Sequence, residues 1–178
     1  MDELMQTEDG RQELSRIQEE NGGLSDCESY AGCTSTVVLI TRSEVICANA
    51  GDSRTVLASR GTARDLSIDH KPDDPVELRR IQNSGYFVEQ GRVNGRLALS
   101  RALGDFEYKG NTDLPKKDQA VTAFPDVRVE PINKDTQFVL LACDGVWDVL
   151  TSQEAIDYVH ETAYKRKYST HRRSMQEL

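Results

Sequence analysis

The chain has 178 residues, which is near the usual size of one domain. Its 22 lysines and arginines face 30 aspartates and glutamates, and the resulting net charge of -8 argues against nucleic acid or an anionic membrane as the main partner. Hydrophobic residues make up 37% of the chain, which suffices for a modest core, and no apolar run approaches the roughly 18 residues that a membrane span needs.

The first part of the chain is predicted to contain a helix followed by three strands. Residues 1–20 favour a helix, which ends at Asn21-Gly22-Gly23. Three runs rich in β-branched residues follow, separated by two tight turns. In chain order these strands and turns are Thr34–Ile40, Thr41-Arg42-Ser43, Glu44–Ala50, Gly51-Asp52-Ser53 and Arg54–Ala58. Three consecutive short strands predict an antiparallel meander.

The second part is predicted to contain two capped helices and a buried strand between them. A helix opens at Asp74, a candidate cap, with Glu77 completing a capping box, and it closes at Ser84-Gly85. The run Phe138–Cys143 is apolar without alternation, which predicts a strand covered on both faces. A second capped helix begins at Thr151–Glu154.

The four cysteines form no metal-binding or disulfide pattern. Because no Cys-x-x-Cys pair is present and the three histidines are scattered, a zinc site is not expected. Cys47 and Cys143 lie within apolar runs and are predicted to be small buried thiols. The acidic start, Met1–Leu4, is unlike a signal peptide, so the expected location is intracellular, in the cytoplasm or the nucleus.

Two aspartates follow predicted strands and are candidate metal ligands. Asp144 comes directly after the apolar run and is followed by Gly145, and Asp52 has the same position after another strand. Such carboxylates could converge on a hard divalent cation, Mg²⁺ or Mn²⁺, which prefers oxygen ligands. Taken singly, each motif is more often an ordinary turn, so this alternative stays open.

Two further motifs contain residue types that act in catalysis elsewhere. His70, within Asp69-His70-Lys71-Pro72, is a candidate general base, although a histidine that hydrogen-bonds its own loop is the more frequent case. Ser100, within the run Ser100–Asp105, lacks the G-x-S-x-G surroundings of a serine-hydrolase nucleophile. A serine-hydrolase mechanism is therefore not favoured.

Six short strings occur in order between residues 31 and 162. They are Ala31-Gly32-Cys33-Thr34-Ser35, Ala50-Gly51-Asp52-Ser53-Arg54, Asp69-His70-Lys71-Pro72, Arg92-Val93-Asn94-Gly95 with Leu97–Asp105, Pro125-Asp126-Val127, and Leu141–Asp148. Each string is weak alone, but together and in this order they resemble the metal-dependent protein phosphatases of the 2C type. Residues 1–20 resemble the helix that precedes this region in that family.

The resemblance implies an α+β fold, a four-layer α-β-β-α sandwich of antiparallel sheets that is partial here. In the family, two Mg²⁺ or Mn²⁺ ions at one edge of the sandwich hold a water that attacks phosphoserine or phosphothreonine. Asp144 matches an aspartate of this binuclear centre and is the predicted catalytic and metal residue. Asp52 matches the aspartate of a third, weaker metal site. The stretch from Pro72 to about Val88 resembles the start of a flap that affects substrate choice.

The family pattern also contains metal-binding strings that this sequence lacks, among them D-G-H-G-G. We therefore expect residues 1–162 to be a partial 2C-type phosphatase domain and residues 163–178 to form a basic, frayed tail. The expected function is metal-dependent hydrolysis of phosphoserine and phosphothreonine in phosphoprotein substrates. The alternative is a catalytically inactive fragment or pseudophosphatase that binds phosphoproteins.

Overall fold

The computed structural model describes residues 1–22 and 31–162. The α-helices of this part are α1 (Asp2–Met5), α2 (Glu8–Glu20), α3 (Pro75–Asn83), α4 (Asp144–Trp147) and α5 (residues 152–162). Its strands are β1 (Gly32–Cys33), β2 (Ser35–Ile40), β3 (Glu44–Ala50), β4 (Arg54–Ser59), β5 (Thr62–Asp65), β6 (Val88–Glu89), β7 (Arg92–Val93), β8 (Leu103–Gly104), β9 (Asp126–Pro131) and β10 (Thr136–Ala142). The helix predicted over residues 1–20 is split, because Thr7 caps α2 by accepting the Gly10 N–H.

Two three-stranded antiparallel sheets are stacked face to face at the centre of the fold. The first sheet has the order β2-β3-β9, and the second has the order β10-β4-β5. Between them, Val45 and Cys47 of β3 pack with Leu57 of β4 and with Leu66. These side chains are at most 2% exposed, and their removal from water is the main favourable contribution to folding.

The predicted three-stranded meander is wrong, because its third strand belongs to the other sheet. β2 and β3 form the predicted hairpin, in which Val38 pairs with Cys47. The chain then leaves the first sheet at Gly51, whose φ of 117° strongly favours glycine. β4 consequently pairs with β10 and β5. A hairpin turn and a crossover between sheets use the same glycine and short polar residues, so the sequence alone does not separate them.

A helix covers the outer side of the second sheet. α5 packs there through a cluster of buried residues, namely Val56, Ala58, Trp147, Ala155 and Ile156. The predicted capping box at the start of α5 is confirmed: the Thr151 N–H donates to Glu154 Oε2 at 2.8 Å, and the Glu154 N–H donates to Thr151 Oγ1 at 3.2 Å. The cap thus sets where this helical layer begins.

The outer side of the first sheet is open to solvent in the described part of the chain. It carries two cross-strand rows of apolar residues, namely Val37, Ala48 and Val127 in one row and Leu39, Ile46 and Val129 in the other. The members of these rows on β2 and β9 are at least 50% exposed. The antiparallel sheets of the predicted α+β fold are confirmed, and the described residues provide three of the four layers.

Within the described residues β10 lies at an edge of the second sheet, and its side chains contact apolar clusters on both faces as expected: Phe138 and Leu140 pack toward α5, and Val139 packs between the sheets. It pairs with β4, and Leu141 is 42% exposed. The strand ends at Ala142, so Cys143 lies beyond it and is exposed, whereas Cys47 is buried as predicted. An apolar run reports hydrophobicity but not the number of neighbouring strands.

α3 has the predicted length but not the predicted capping box. Asp74 makes no side-chain capping bond, although Pro75 opens the helix and Gly85 follows it with a φ of 92°. Glu77, the other predicted member of the box, points into the protein and is 2% exposed. Buried guanidinium groups bind this carboxylate and draw it away from the helix terminus.

Two expectations remain predictions here. The domain boundary at residue 162 and the basic tail fall on residues 163–178, which lie outside the described ranges. Within the ranges that are described, no helix is long and apolar enough to cross a membrane.

Candidate active site

Asp52 and Asp144 come to the same end of two paired strands. β4 and β10 are antiparallel, and the last residue of β10, Ala142, pairs with the first residue of β4, Arg54. Asp52 lies two residues before β4, and Asp144 lies two residues after β10. The strand register therefore brings both predicted site residues to the same end of β4 and β10.

Asp52 is buried and is bonded to a lysine. It is 4% exposed, and its Oδ2 accepts a hydrogen bond from Lys71 Nζ at 2.5 Å. Burial disfavours the charge on Lys71, but the hydrogen bond and charge of Asp52, together with the charges of Asp69 and Asp144, outweigh burial and raise the pKa of Lys71. Lys71 is therefore an ammonium at neutral pH, within electrostatic reach of both predicted metal carboxylates.

Asp144 differs from Asp52 in being exposed. It is the first residue of α4, and its Oδ1 accepts the N–H of Gly145 at 2.9 Å. The indole N–H of Trp147 donates to the Ala142 carbonyl at 2.8 Å and ties α4 to the end of β10. The Asp144 carboxylate is thus held at the rim of the sheet, accessible to a molecule in solution.

Arg54 forms the side of the site that faces α5. Its guanidinium donates two hydrogen bonds to the Asp69 carboxylate, both at 2.9 Å, and a third to Ser152 Oγ at 3.2 Å. It also lies over the Trp147 ring, 5.2 Å from the centroid. These contacts neutralise Asp69 and connect the site to the helical layer.

His70 has the contacts of a histidine that bonds its own loop. Nδ1 lies 3.1 Å from both the backbone nitrogen and the carbonyl oxygen of Gly51, and Nε2 lies 3.2 Å from Asp126 Oδ2. Asp126 Oδ1 in turn accepts from Arg101 Nη1 at 2.8 Å. His70 is 4% exposed and braces the turn that carries Asp52, which leaves its ring without access to a substrate.

A buried charge cluster beside the site was missed by sequence analysis. Glu77 accepts hydrogen bonds from Arg80 Nη1, Ser100 Oγ and Arg101 Nη2, each at 2.7 Å. The three-residue spacing of Glu77 and Arg80 is that of a helical ion pair, which was the available signal. The burial of this ion pair depends on the tertiary fold. From the sequence alone, Glu77 was predicted instead to cap the start of its helix.

The two aspartates do not by themselves form a two-metal centre. No group of three or more His, Cys, Asp and Glu side chains in residues 1–22 and 31–162 is arranged to hold a metal ion. A hard cation binds through several oxygen ligands, whereas here Asp52 is bonded to Lys71 and Asp144 to the Gly145 N–H. The residues described therefore do not fit a binuclear Mg²⁺ or Mn²⁺ centre.

Comparison with known proteins decides the family. The family model for protein phosphatase 2C matches residues 6–178. The chain belongs to the protein phosphatase 2C family. Protein phosphatase 2C homolog 2 of Schizosaccharomyces pombe is 54% identical over 141 residues, which cover 79% of this chain and 38% of that protein. Protein phosphatase 2C 1 of Paramecium tetraurelia is 46% identical over 162 residues, which cover 91% of this chain and 53% of that protein. The chain thus spans about half or less of these phosphatase 2C relatives.

Solved structures of phosphatases agree with this assignment. A crystal structure of a phosphatase from Toxoplasma gondii matches with a TM-score of 0.66 at 41% identity, over 70% of this chain and 39% of that one. A serine-threonine phosphatase 2C from the same organism matches with a TM-score of 0.67 at 24% identity, over 88% of this chain and 54% of that one, and supports the fold alone. The resemblance drawn from the six strings is confirmed at the level of family and fold.

Proposed function

We propose that this chain forms part of a protein serine/threonine phosphatase, which hydrolyses phosphoserine and phosphothreonine in phosphoproteins. Family membership supports the reaction class, and the convergence of Asp52 and Asp144 at one end of β4 and β10 carries the proposal to these residues. Asp144 is the proposed catalytic and metal carboxylate, Asp52 is a second metal carboxylate, and Mg²⁺ or Mn²⁺ is the proposed cofactor. The free cysteines Cys33, Cys47 and Cys143 suit a reducing intracellular location, cytoplasmic or nuclear.

The side chains at this edge have distinct proposed tasks. Asp144 is exposed and can contact a phosphorylated segment in solution. Asp52 is buried and contributes its negative charge to the site without contacting the substrate. Phosphoryl transfer needs cations to offset the charge that develops on the phosphate oxygens. Because two aspartates are too few to hold two metal ions, turnover requires ligands in addition to Asp52 and Asp144.

Phosphate release from a phosphothreonine peptide tests the proposed activity. We expect release in the presence of Mn²⁺, and we expect Asp144→Asn to reduce it about a hundredfold or more, because the variant removes a ligand charge at the reaction site. Asp113→Asn, in an exposed loop, removes the same charge elsewhere and should leave the rate unchanged. Folded wild-type protein that releases no phosphate above the blank would contradict turnover by this chain and would favour the binding module described next.

A second candidate function is a phosphoprotein-binding module without turnover. The observation that favours it is the lack of a three-ligand group in the described residues. Fluorescence anisotropy with a labelled phosphothreonine peptide in metal-free buffer tests this role. Binding without release of phosphate supports the module, and absence of binding counts against it.

A further inference from the structure

A cleft opens between the end of α4 and the start of α5, next to the candidate active site. Its volume is about 450 Å³. The residues that line it include Arg54, Trp147, Asp148, Val149, Ser152 and Glu154. Asp144 begins α4, and its carbonyl accepts the Asp148 N–H at 2.8 Å. The cleft therefore starts one helical turn, about 6 Å, from the proposed catalytic carboxylate.

The positive charge of Arg54 is already balanced inside the protein. Its guanidinium donates to the Asp69 carboxylate and to Ser152 Oγ, and it lies over the Trp147 ring. Ser152 Oγ in turn donates to Asp65 Oδ1 at 2.6 Å. Because carboxylates of the protein surround this guanidinium, Arg54 does not make the cleft attractive to an anion.

Two exposed carboxylates give the cleft uncompensated negative charge. The Asp148 side chain has no hydrogen-bond or ion-pair partner among the described residues. Glu154 Oε2 accepts the N–H and the hydroxyl of Thr151, and these bonds hold the pKa of Glu154 below its ordinary value. Beside them, Val149 is 74% exposed and offers an apolar contact.

A basic side chain matches this lining in both of its parts. Lysine and arginine combine an apolar stem with a charged end, so the stem can pack on Val149 while the charge lies near Asp148 and Glu154. The net charge of -8 on the whole chain also draws positively charged segments toward the protein. The cleft is therefore suited to a cationic residue of a peptide.

We propose that this cleft binds a lysine or arginine that flanks the phosphorylated residue of the substrate. The inference rests on the proposed function, because it concerns a segment whose phosphorylated residue lies at Asp144. An extended peptide advances about 3.3 Å per residue, so the basic residue stands two or more positions from the phosphorylated one. The substrate class is thus phosphoproteins with a basic residue close to the phosphorylation site.

Fluorescence anisotropy in metal-free buffer tests the proposal by direct binding. The labelled phosphothreonine peptides carry one arginine, at each position up to about four residues before or after the phosphothreonine, or alanine throughout. We expect arginine on one side, at least two residues away, to tighten binding by about threefold to fivefold, as an exposed ion pair does. Rising salt concentration should reduce this preference.

Substitutions of Asp148 locate the preference in the cleft. Asp148→Lys should abolish the preference for arginine and favour glutamate at the same position, and Asp148→Asn should weaken it. Asp113→Lys makes the same charge change in an exposed loop that does not line the cleft, and it should retain the preference for arginine. Circular dichroism checks that each variant is folded.

The outcomes separate this inference from the proposed phosphatase activity. Equal binding of the arginine and alanine peptides overturns it, as does a preference that survives Asp148→Lys or the absence of binding by every peptide. Arginine-dependent binding without release of phosphate after addition of Mn²⁺ contradicts only the phosphatase proposal. Release of phosphate without any preference for arginine contradicts only the role of the cleft.

Discussion

Glu77 shows how one side chain can hold two charged partners inside the protein. Burial alone would raise the pKa of Glu77, but hydrogen bonds from Arg101 and Ser100 and the charge of Arg80 outweigh burial, so the pKa lies below its ordinary value. The Arg80 and Arg101 side chains are 12% and 10% exposed. The ionised carboxylate is therefore the group that makes the burial of both guanidinium groups tolerable.

Replacing Glu77 by alanine should strongly destabilise the protein. The change leaves two mostly buried guanidinium groups without their carboxylate, and we expect the free energy of unfolding to fall by about 3–5 kcal/mol. Urea denaturation followed by circular dichroism measures the difference. Glu19→Ala removes the same side chain from the exposed surface of α2 and should change stability by less than about 0.5 kcal/mol. Similar losses for both variants would refute the role assigned to the cluster.

The same carboxylate should make the protein sensitive to acid. The pKa of Glu77 in the folded state lies below its ordinary value of 4.5. The contribution of Glu77 to the free energy of unfolding is therefore complete above pH 4.5 and is lost as the pH falls through the folded-state pKa. Glu77→Gln does not titrate, so its unfolding free energy should change less than that of wild type between about pH 5 and pH 3. Parallel pH profiles would show that other groups determine the acid response.

At the level of elements, the turn between β3 and β4 carries both a change of sheet and a predicted site residue. Gly51 ends the path of the chain through the first sheet, and Asp52 follows it immediately. A Cβ atom at Gly51 would lie 2.4 Å from Thr34 Cγ2 and 3.0 Å from the Arg101 carbonyl oxygen. The turn therefore needs glycine for space as well as for its backbone conformation.

Two glycine variants separate these requirements. Gly51→Ala and Gly61→Ala both place a side chain at a positive φ, 117° and 75° respectively, but a Cβ at Gly61 meets nothing within 4 Å. We expect Gly51→Ala to lose clearly more stability than Gly61→Ala in thermal unfolding, since it adds the clash to the conformational cost. Equal losses would mean that the surroundings of Gly51 relax without cost.

Local sequence signals predicted the helices and strands better than they predicted which strands pair with one another. The β2–β3 hairpin and the α5 capping box depend on adjacent residues, and both were predictable. The transfer of β4 to the second sheet and the edge position of β10 depend on pairing across the chain, which periodicity does not encode. In the candidate site, Asp52 and Asp144 were predicted because each follows a strand, whereas the partners of Lys71 and Glu77 are brought together only by the tertiary fold.

For the whole molecule, the decisive feature is that helices cover one sheet and not the other in residues 1–22 and 31–162. α5 buries the outer side of the second sheet, while Val37, Leu39, Val127 and Val129 leave an apolar surface on the first. Contiguous apolar surfaces of this kind favour association or the binding of apolar dyes.

Binding of anilinonaphthalene sulfonate measures this surface. We expect wild-type protein to increase the fluorescence of the dye and Val127→Lys to reduce the increase, because a charge then interrupts the apolar row on β9. Val76→Lys makes the same change on α3, where valine is 72% exposed, away from the rows. An equal effect of both substitutions would assign the dye to another part of the protein.

In the described residues the outer sides of the two sheets therefore differ, because one is covered by a helix and the other exposes apolar side chains. On a hydrophobic resin or at an air–water boundary, adsorption through the bare sheet is favoured, because that contact removes the two valine- and leucine-containing rows from water. The helix-covered side would then face the liquid. Immobilised protein should accordingly present a uniform orientation rather than a random one.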